Sequence, residues 1–588
     1  AGYGYRYLLR SVAVNDVDPG GRGVGLVDYY QAKGTPCGRW VGAGLSGLGS
    51  SRMVCGSEVL GEQMSALFGE GYHPDVDELV MGGKARLGEC QLGRAFPVFT
   101  GGIEVLEAIA VEERKLRGLV GHRLSEGERN EVAVRVARPF FVREYGDKEV
   151  QDRRVLAWIN EVKDGVGQAV SGFDLVFSPV KSVSVVWGLA DKELAGKIAR
   201  LHHEAVDEVL GWAEENCVFT RRGVGGIEKI RTRGLIGARF THFDTRDGDP
   251  DLHDHVLVSN KVQGVDGVWR SVDSRSLHRS AQALSARYNL VLQDKLSRVL
   301  GFDFTERPRG DGKQSVWEIK GVSDAVIEAF SSRRAQAKPV LEGLVDEWVR
   351  KHGVSPSRRR LYQLWQEAIL QTRKVKGEAA SLDELRENWA ALCAGMIGEK
   401  DQRMLLQVLD NCGGGVHDAP LFDYGMHADQ VIEDAMAQVI SRRAVFCRSH
   451  VEVAVNQVLR GFRFVSDVER DKVQQQVMDQ VMVRKAVVMN PCEGLVLPDA
   501  LVRHDGRALD FDELQVRYTT REQLGQEYDV VHAMDEYAGL GVGARDVARA
   551  LKAFAREKGF ALNAGQSAMV EQVLMDDARL SVAVGPAG

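Results

Sequence analysis

Three histidines stand close together in the chain, His242, His253 and His255. Side chains along an extended strand alternate faces, so His253 and His255 share one side and Asp254 takes the other. The apolar run Val256-Leu257-Val258 continues as a buried strand does. Upstream, Ala238, Phe240 and His242 alternate on a second strand candidate. Between the two, Asp244 to Leu252 is rich in Asp, Gly and Pro, which is turn chemistry. A hairpin closed there sets His242 beside the other two. Three imidazoles on one face bind a divalent metal and leave a coordination position open for substrate. One histidine alone is ordinarily a surface or satisfied core residue. Three of the 14 in the chain, converging on one hairpin, point to ligands.

Other residues could serve such a centre. Tyr3, Tyr5 and Tyr7, then Tyr29 and Tyr30, crowd the N-terminal end, as core aromatics or as nucleophiles. Asp174 falls inside a strand candidate, where an acid must be paired or face solvent, because a lone buried charge is costly. Arg221, Arg222, Lys229, Arg231, Arg233 and Arg239 form a basic stretch leading into His242, and Thr372-Arg-Lys-Val-Lys376 is another. Such runs are either a solvated face or phosphate contacts.

The elements that must position these groups follow from pattern. Residues 169–187 give a buried strand, a turn and a second apolar run. Val105–Arg117 and Glu126–Ala137 are amphipathic helices, part of a charged region expected to be scaffold. Lys197–Trp212 is a helix with an apolar stripe at Ile198, Leu201, Ala205, Val209 and Trp212. On it, His202 and His203 cannot share a face and are expected to be solvated. Ser280–Leu300 is a helix, as is Val322–Lys338. Strands at Phe302–Thr305 and Ser315–Ile319 flank a turn at Pro308–Gly312. Asn411-Cys-Gly-Gly-Gly415 has linker composition.

At 588 residues the chain should hold roughly two to four domains. Its 44% hydrophobic and 27% charged content is that of a globular protein. A net charge of −7 excludes a wholly basic nucleic-acid coat, though not local basic grooves. The eight cysteines include no CxxC pair, which argues against a zinc ribbon or a disulfide framework and fits free thiols in a reducing cytoplasm. No membrane span or signal peptide is visible.

Four segments together resemble the MobF (TrwC/TraI-type) conjugative relaxases of the His-hydrophobe-His nuclease superfamily. They are Asp28-Tyr29-Tyr30 with Gly38-Arg-Trp40-Val-Gly-Ala-Gly-Leu45; Gly172-Phe-Asp174-Leu-Val-Phe-Ser-Pro-Val-Lys181-Ser-Val-Ser184; His242 through His255; and Thr372-Arg-Lys-Val-Lys376. The resemblance implies an α+β fold, an antiparallel-sheet palm with flanking helices over 1–395, followed by a linker at 396–415. A mixed α/β helicase N-terminal region would occupy 416–560. Asn563-Ala-Gly-Gln566 and Gly585-Pro-Ala-Gly588 look like the start of a superfamily-1 helicase core at 561–588, cut inside its phosphate loop; Gln566, Gly585 and Gly588 would belong to an incomplete nucleotide site without ATPase activity. Two positions depart from the family pattern. Asp254 replaces the hydrophobe between the histidines, and the first tyrosine pair is split as Tyr5-Arg6-Tyr7.

The same resemblance implies metal-dependent, site- and strand-specific nicking of DNA at an origin of transfer, through a covalent 5′-phosphotyrosine. Tyr5 or Tyr7 would attack first and Tyr29 or Tyr30 would supply a second nucleophile. Asp174 would take or orient the phenolic proton, and Arg246 would add charge near the phosphate. His242, His253 and His255 would hold the metal, Mg²⁺ or Mn²⁺ ahead of Zn²⁺ or Ni²⁺. Lys181, Arg221, Arg222, Arg231, Arg233, Arg373, Lys374 and Lys376 would contact single-stranded DNA and the origin hairpin. Accessory relaxosome and coupling proteins would be partners, in a bacterial cytoplasm, without membrane insertion. Alternatives are a rolling-circle replication initiator or transposase-like nuclease, a plain metallohydrolase that dispenses with tyrosine, and a non-enzymatic DNA-binding module with a structural metal.

Overall fold

The computed structural model describes residues 36–50, 52–147, 149–310, 314–372, 381–410, 417–489, 498, 501–502, 507–536, 541–576 and 580. The expectations for Tyr5, Tyr7, Tyr29, Tyr30, Arg373, Lys374, Lys376, Gly585 and Gly588 lie outside the described residues. The chain divides into two units. One comprises Ala1–Gly425, Asn456–Val473 and Val496–Asp512, and the other Met426–Val455, Gln474–Leu495 and Glu513–Gly588.

The first unit carries the expected hairpin. In chain order its strands include β1 (Arg39–Val41), β2 (Gly172–Phe177), β3 (Phe219–Arg222), β4 (Glu228–Arg231), β5 (Gly237–Asp244) and β6 (Pro250–Ser259). Four of them form one antiparallel sheet in the order β1-β5-β6-β2, while β3 and β4 make a separate two-stranded ladder. Residues directly opposite in such a sheet share a face. His242 stands opposite His253, Phe240 and Val176 both flank His255, and Asp174 and Ala238 flank Leu257. One face therefore carries Trp40, Ala238, Phe240, the three histidines and Asp174. The opposite face carries Val41, Phe177, Leu252, Val256 and Val258.

Each face has its own core. The face without histidines packs on the helices Lys181–Leu189, Lys192–Asn216 and Ser274–Leu300, through Val185, Ile198, Val209, Val291 and Leu296. Asp191 starts the second of these helices, Lys192–Asn216, by accepting from the Leu194 N–H. Among the described residues, the histidine face is only partly covered. Trp40, Met53, Met64, Leu67 and Phe68 cover Ala238, Phe240 and Leu257. Beyond them the face opens, and Val176 is 53% exposed. Gly172 permits this close packing: a Cβ there would stand 2.5 Å from the Val258 carbonyl oxygen and 3.1 Å from the Phe68 ring.

The Gly38–Leu45 segment proves to be structural in geometry. Trp40 is fully buried and its Nε1–H donates to Gln63 Oε1 at 3.0 Å. The Gln63 amide in turn donates to Asp75 at 2.9 Å. Replacing Trp40 with alanine is expected to cost about 3–5 kcal/mol of unfolding free energy, since it opens a cavity and strands a buried amide. Urea denaturation checks this, and a cost under about 1 kcal/mol would refute it.

Several sequence expectations are corrected. The second apolar run, given no conformation from the sequence, is a helix, Lys181–Leu189, buried nearly all round, where tertiary packing overrides its β-branched composition. Among the described residues strand β2 is at the sheet edge and is only partly buried, not buried as expected. The helix expected over Val322–Lys338 is two, Asp324–Ala329 and Ser332–His352, separated at Phe330 and Ser331; Phe330 is fully buried. The linker expected at 396–415 contains a helix, Glu399–Asp410, whose Leu405 is 2% exposed in the main core, with Val408 and Leu409 packed against it. Its apolar residues keep helical spacing, a signal that the glycines just beyond it mask in the sequence.

Three helices between β1 and β2, Glu104–Val120, Glu126–Tyr145 and Asp152–Asp164, share a small core of Ile109, Phe141, Val155 and Ile159. Ser125 and Glu128 close a capping box at the second of them. The second unit is mainly helical, including Arg521–Ala533, Ala544–Lys558 and Ala564–Met575, with a two-residue ladder between Val487–Val488 and Tyr518–Thr519. No helix among the described residues is long and apolar enough to cross a membrane.

Candidate metal centre

The β5–β6 hairpin brings the three histidines together as the alternation requires. Ring centroids lie 5.2 Å apart for His242 and His253, 4.9 Å for His242 and His255, and 5.2 Å for His253 and His255. Their candidate ligand nitrogens all fall within 4.8 Å of one another. The register shifts between His242 and Asp244, the kind of irregularity that re-aims a strand beside a site.

Two of the tautomers are fixed by neighbours. His253 Nδ1 is 2.8 Å from the Asp251 carbonyl oxygen, which can only accept, so Nδ1 carries the proton. His255 Nδ1 lies 3.0 and 2.9 Å from the two Asp174 carboxylate oxygens and donates to them. Both rings are left with an Nε2 lone pair. A carboxylate behind a histidine is the arrangement that orients a metal ligand and raises its basicity. The donor set thus fits a divalent metal. Asp174 is exposed to solvent yet paired, which reconciles the two readings of an acid in that strand.

The hairpin tip is pinned from several sides. Thr245 N donates to the Asp249 carbonyl at 3.0 Å, and Trp389 Nε1 donates to the Gly248 carbonyl at 2.6 Å. The Asp249 carboxylate accepts from Ser332 N and Oγ at 2.9 and 2.7 Å. Lys181 Nζ donates to the Pro250 carbonyl at 2.7 Å. The expectation that Lys181 meets DNA is corrected: its ammonium is turned into the protein, where burial pushes its pKa down. Arg246 sits exposed on the tip.

Behind the histidines, Asp254 faces away from them, as expected, and is completely buried. It accepts from Thr241 Oγ1 at 2.6 Å, and Thr241 Oγ1 is 3.1 Å from His203 Nε2. His202 Nε2 is 3.5 Å away and Arg239 Nε 3.9 Å. Burial alone would raise the Asp254 carboxyl; His202 and His203 outweigh it and hold the group well below the usual carboxylate range. His202 is not solvated: it is fully buried, with Nδ1 2.8 Å from the Tyr288 hydroxyl. The sequence did hold the signal, because His202 lies four residues after Ile198 and three before Ala205, on the apolar stripe.

A family model described as TrwC relaxase matches residues 1–396. The chain belongs to the TrwC relaxase family. Two curated relatives are both the multifunctional conjugation protein TraI, one from Escherichia coli, 34% identical over 184 residues, and one from Escherichia coli strain K12, 31% identical over 184 residues. Each alignment covers 30% of this chain and 10% of the relative, so the match spans about a tenth of their length. Solved structures with similarity include the conjugative relaxase TrwC in complex with oriT DNA in a copper-bound form, at TM-score 0.38 and 20% identity, covering 62% of this chain and 89% of that one. A metal-bound TrwC–oriT complex gives 0.37 and 21%, covering 61% and 88%.

In this member of the TrwC relaxase family the basic stretch before the hairpin divides into two groups. Arg221 pairs with Asp273 and Asp512 at 3.1 and 3.5 Å, and Arg222 with Glu228 at 2.6 Å. Both guanidiniums, expected to meet DNA, carry carboxylate partners within the protein and remain partly exposed. Arg231 and Arg233 are exposed, with no side-chain ion pair among the described residues. Gln566 closes a capping box with Asn563, accepting from its backbone N–H at 3.1 Å.

Proposed function

We propose that this chain is the DNA-nicking module of a conjugative relaxase, cutting one strand at an origin of transfer by tyrosine transesterification. The observation that carries this is the centre itself: three imidazoles converging on one sheet face, one braced by Asp174. His242, His253 and His255 would hold the metal, which when bound draws charge from the non-bridging oxygens of the scissile phosphate. An all-imidazole set favours Zn²⁺ or Ni²⁺; Mn²⁺ and Mg²⁺ prefer oxygen ligands, which water and the phosphate would have to supply.

The chain's own residues do the rest. A phenolic oxygen of Tyr5 or Tyr7 attacks phosphorus, a P–OTyr bond forms, and the bond to the 3′ oxygen breaks. The phenol has an ordinary pKa of about 10, so its proton needs an acceptor. Asp174 would accept it, and the proton would pass finally to the leaving 3′ oxygen. Arg246 on the hairpin tip adds positive charge near the phosphate. Tyr29 or Tyr30 supplies the second transfer. Because the ester conserves the bond, the step reverses and rejoins strands. Single-stranded and hairpin DNA from the origin of transfer are the substrates, with accessory relaxosome and coupling proteins as partners.

The test is incubation with single-stranded origin DNA of the parent element and Mn²⁺, followed by a denaturing gel and peptide mass spectrometry. A covalent adduct on a tyrosine is the expected result. Metal-dependent cleavage without an adduct would replace the transesterase by a hydrolase. For DNA affinity, charge reversal at Arg231 or Arg233 should weaken binding across sequences and lower the salt slope by about one for each phosphate no longer neutralised. Reversal at Arg222 should leave that slope unchanged, and an equal effect at both places would refute the division.

A further inference from the structure

The face of the sheet turned away from His242, His253 and His255 carries a second cluster. Asp254 points from β6 toward the helix Lys192–Asn216, which brings His202 and His203 to it. One candidate ligand atom from each of the three residues lies within 4.8 Å of the other two. His202 Nε2 is 3.5 Å from Asp254 Oδ2, and His203 Nε2 is 3.6 Å from Oδ1. The cluster is short of hydrogen bonds. Asp254 is fully buried, and a buried carboxylate needs partners for both oxygens. Oδ1 accepts from the Thr241 hydroxyl at 2.6 Å. Oδ2 has no hydrogen-bond partner among the described residues, and neither does His202 Nε2, on a fully buried ring. Arg239 Nε stands 3.9 Å from Oδ2, beyond hydrogen-bond reach, and its guanidinium bonds Asp207 at 2.7 Å.

The spacing is that of a ligand shell. Protonated histidines satisfied by the carboxylate would close to about 2.7–2.9 Å. In a tetrahedral zinc site, with bonds of about 2.0–2.1 Å, neighbouring ligand atoms stand about 3.3–3.4 Å apart. His202 Nε2 and Asp254 Oδ2 are closed to water, which would need about 2.7–3.0 Å to each; a bare zinc ion needs only about 2.0–2.1 Å. The remaining groups fit. His202 Nδ1 lies 2.8 Å from the Tyr288 hydroxyl, whose oxygen can accept from Nδ1–H and leave Nε2 as the ligand. The His203 side chain is 31% exposed, which gives an ion its way in and a water its place as fourth ligand.

We infer that His202, His203 and Asp254 form a second metal site, for a tetrahedral Zn²⁺, on the opposite face of the sheet from the histidine triad. Its role is structural. The ion ties the helix Lys192–Asn216 to β6 at the residue between His253 and His255, and so fixes the strand on which two histidines of the triad stand. The assignment does not depend on the nicking reaction.

The test is the metal content of the full chain, stripped with EDTA and dialysed against Zn²⁺, read by elemental mass spectrometry, with Co²⁺ as a spectroscopic stand-in. The wild type should hold about two ions per chain, and His203→Ala and His253→Ala about one each. The Co²⁺ ion left in His253→Ala should show the strong visible absorption of tetrahedral coordination, and the double variant should lose it. Zn²⁺ should also raise the Tm of His253→Ala by about 3 °C or more and leave that of the double variant unmoved. His203 is partly exposed, so its loss should leave the fold intact, and the wild-type count needs no substitution at all. A wild type whose one ion is lost in His253→Ala, or a second ion kept in His203→Ala, would overturn the site. A single ion kept in His253→Ala and lost in His203→Ala would uphold it and remove the triad as a metal centre.

Discussion

His253→Ala is expected to reduce metal-dependent nicking by about 10³-fold or more while changing DNA affinity little. The size follows from the several kcal/mol that charge stabilisation by a bound metal contributes to phosphoryl transfer, at about 1.36 kcal/mol per factor of ten. His253 is the cleanest of the three to change. Its Nδ1–H bonds to a carbonyl on its own strand, Asp251 O at 2.8 Å, and the Asp251 carboxylate is only a looser contact at 3.5 Å. His255→Ala would also take a partner from Asp174, and would mix two effects. The His253 side chain is 13% exposed, so water fills its place and the sheet should keep its stability. Nicking assays at saturating Mn²⁺ read the first quantity and filter binding in EDTA the second. Nicking within about ten-fold of wild type would remove the histidines from the reaction.

The centre was legible because it is local: one hairpin and one turn. Period-two alternation places His242, His253 and His255 on one face and Asp254 on the other, and the pairing of His242 with His253 bears this out. What stayed hidden is long-range. Lys181 and Pro250 come together only through the packing of the helix after β2, so nothing in the sequence near Lys181 marks its ammonium as spoken for. Arg221 and Arg222 resemble a phosphate-binding run because Asp273, Asp512 and Glu228, which neutralise them, lie elsewhere or are read one residue at a time. Charge runs are ambiguous until their counter-charges are placed. His202 differs: its helical phase is plain in the sequence, but the rule that polar residues are solvated points the other way.

Two further features show what the motif segments encode. Trp40 is fully buried and hydrogen-bonded to Gln63, so its segment specifies the cover of the histidine face and not the reaction. The buried Asp254, by contrast, sits between His253 and His255 in the chain and faces the other side of the sheet. Its bond from Thr241, on the neighbouring strand, ties β5 to β6 where His242 and His253 must stay in register. A buried charge with its donors arranged around it is costly to break on one side. It therefore gives the hairpin a fixed registration that a hydrophobe at that position would have to supply by packing alone.

Asp174 carries the second large prediction, because geometry gives it a definite partner, His255, and the reaction offers it another, the phenolic proton. If it acts through His255, Asp174→Ala should weaken metal affinity by about 10–100-fold, the usual cost of losing a carboxylate behind a histidine ligand. Asp174→Asn, whose amide oxygen still accepts from Nδ1–H, should cost less. Raising Mn²⁺ should then restore most of the rate in both variants, with the defect lying in the metal concentration needed for half-maximal nicking. If Asp174 takes the proton from tyrosine, saturating metal cannot repair either variant, and the rate should stay down by the roughly 10²–10⁴-fold typical of a lost general base. Single-turnover nicking against a Mn²⁺ titration separates the two. The hydrogen bonds at 3.0 and 2.9 Å hold both carboxylate oxygens against one ring nitrogen, which favours restoration by metal. A rate that stays low at saturating Mn²⁺ in Asp174→Asn would show that the carboxylate, while bracing His255, also meets the proton.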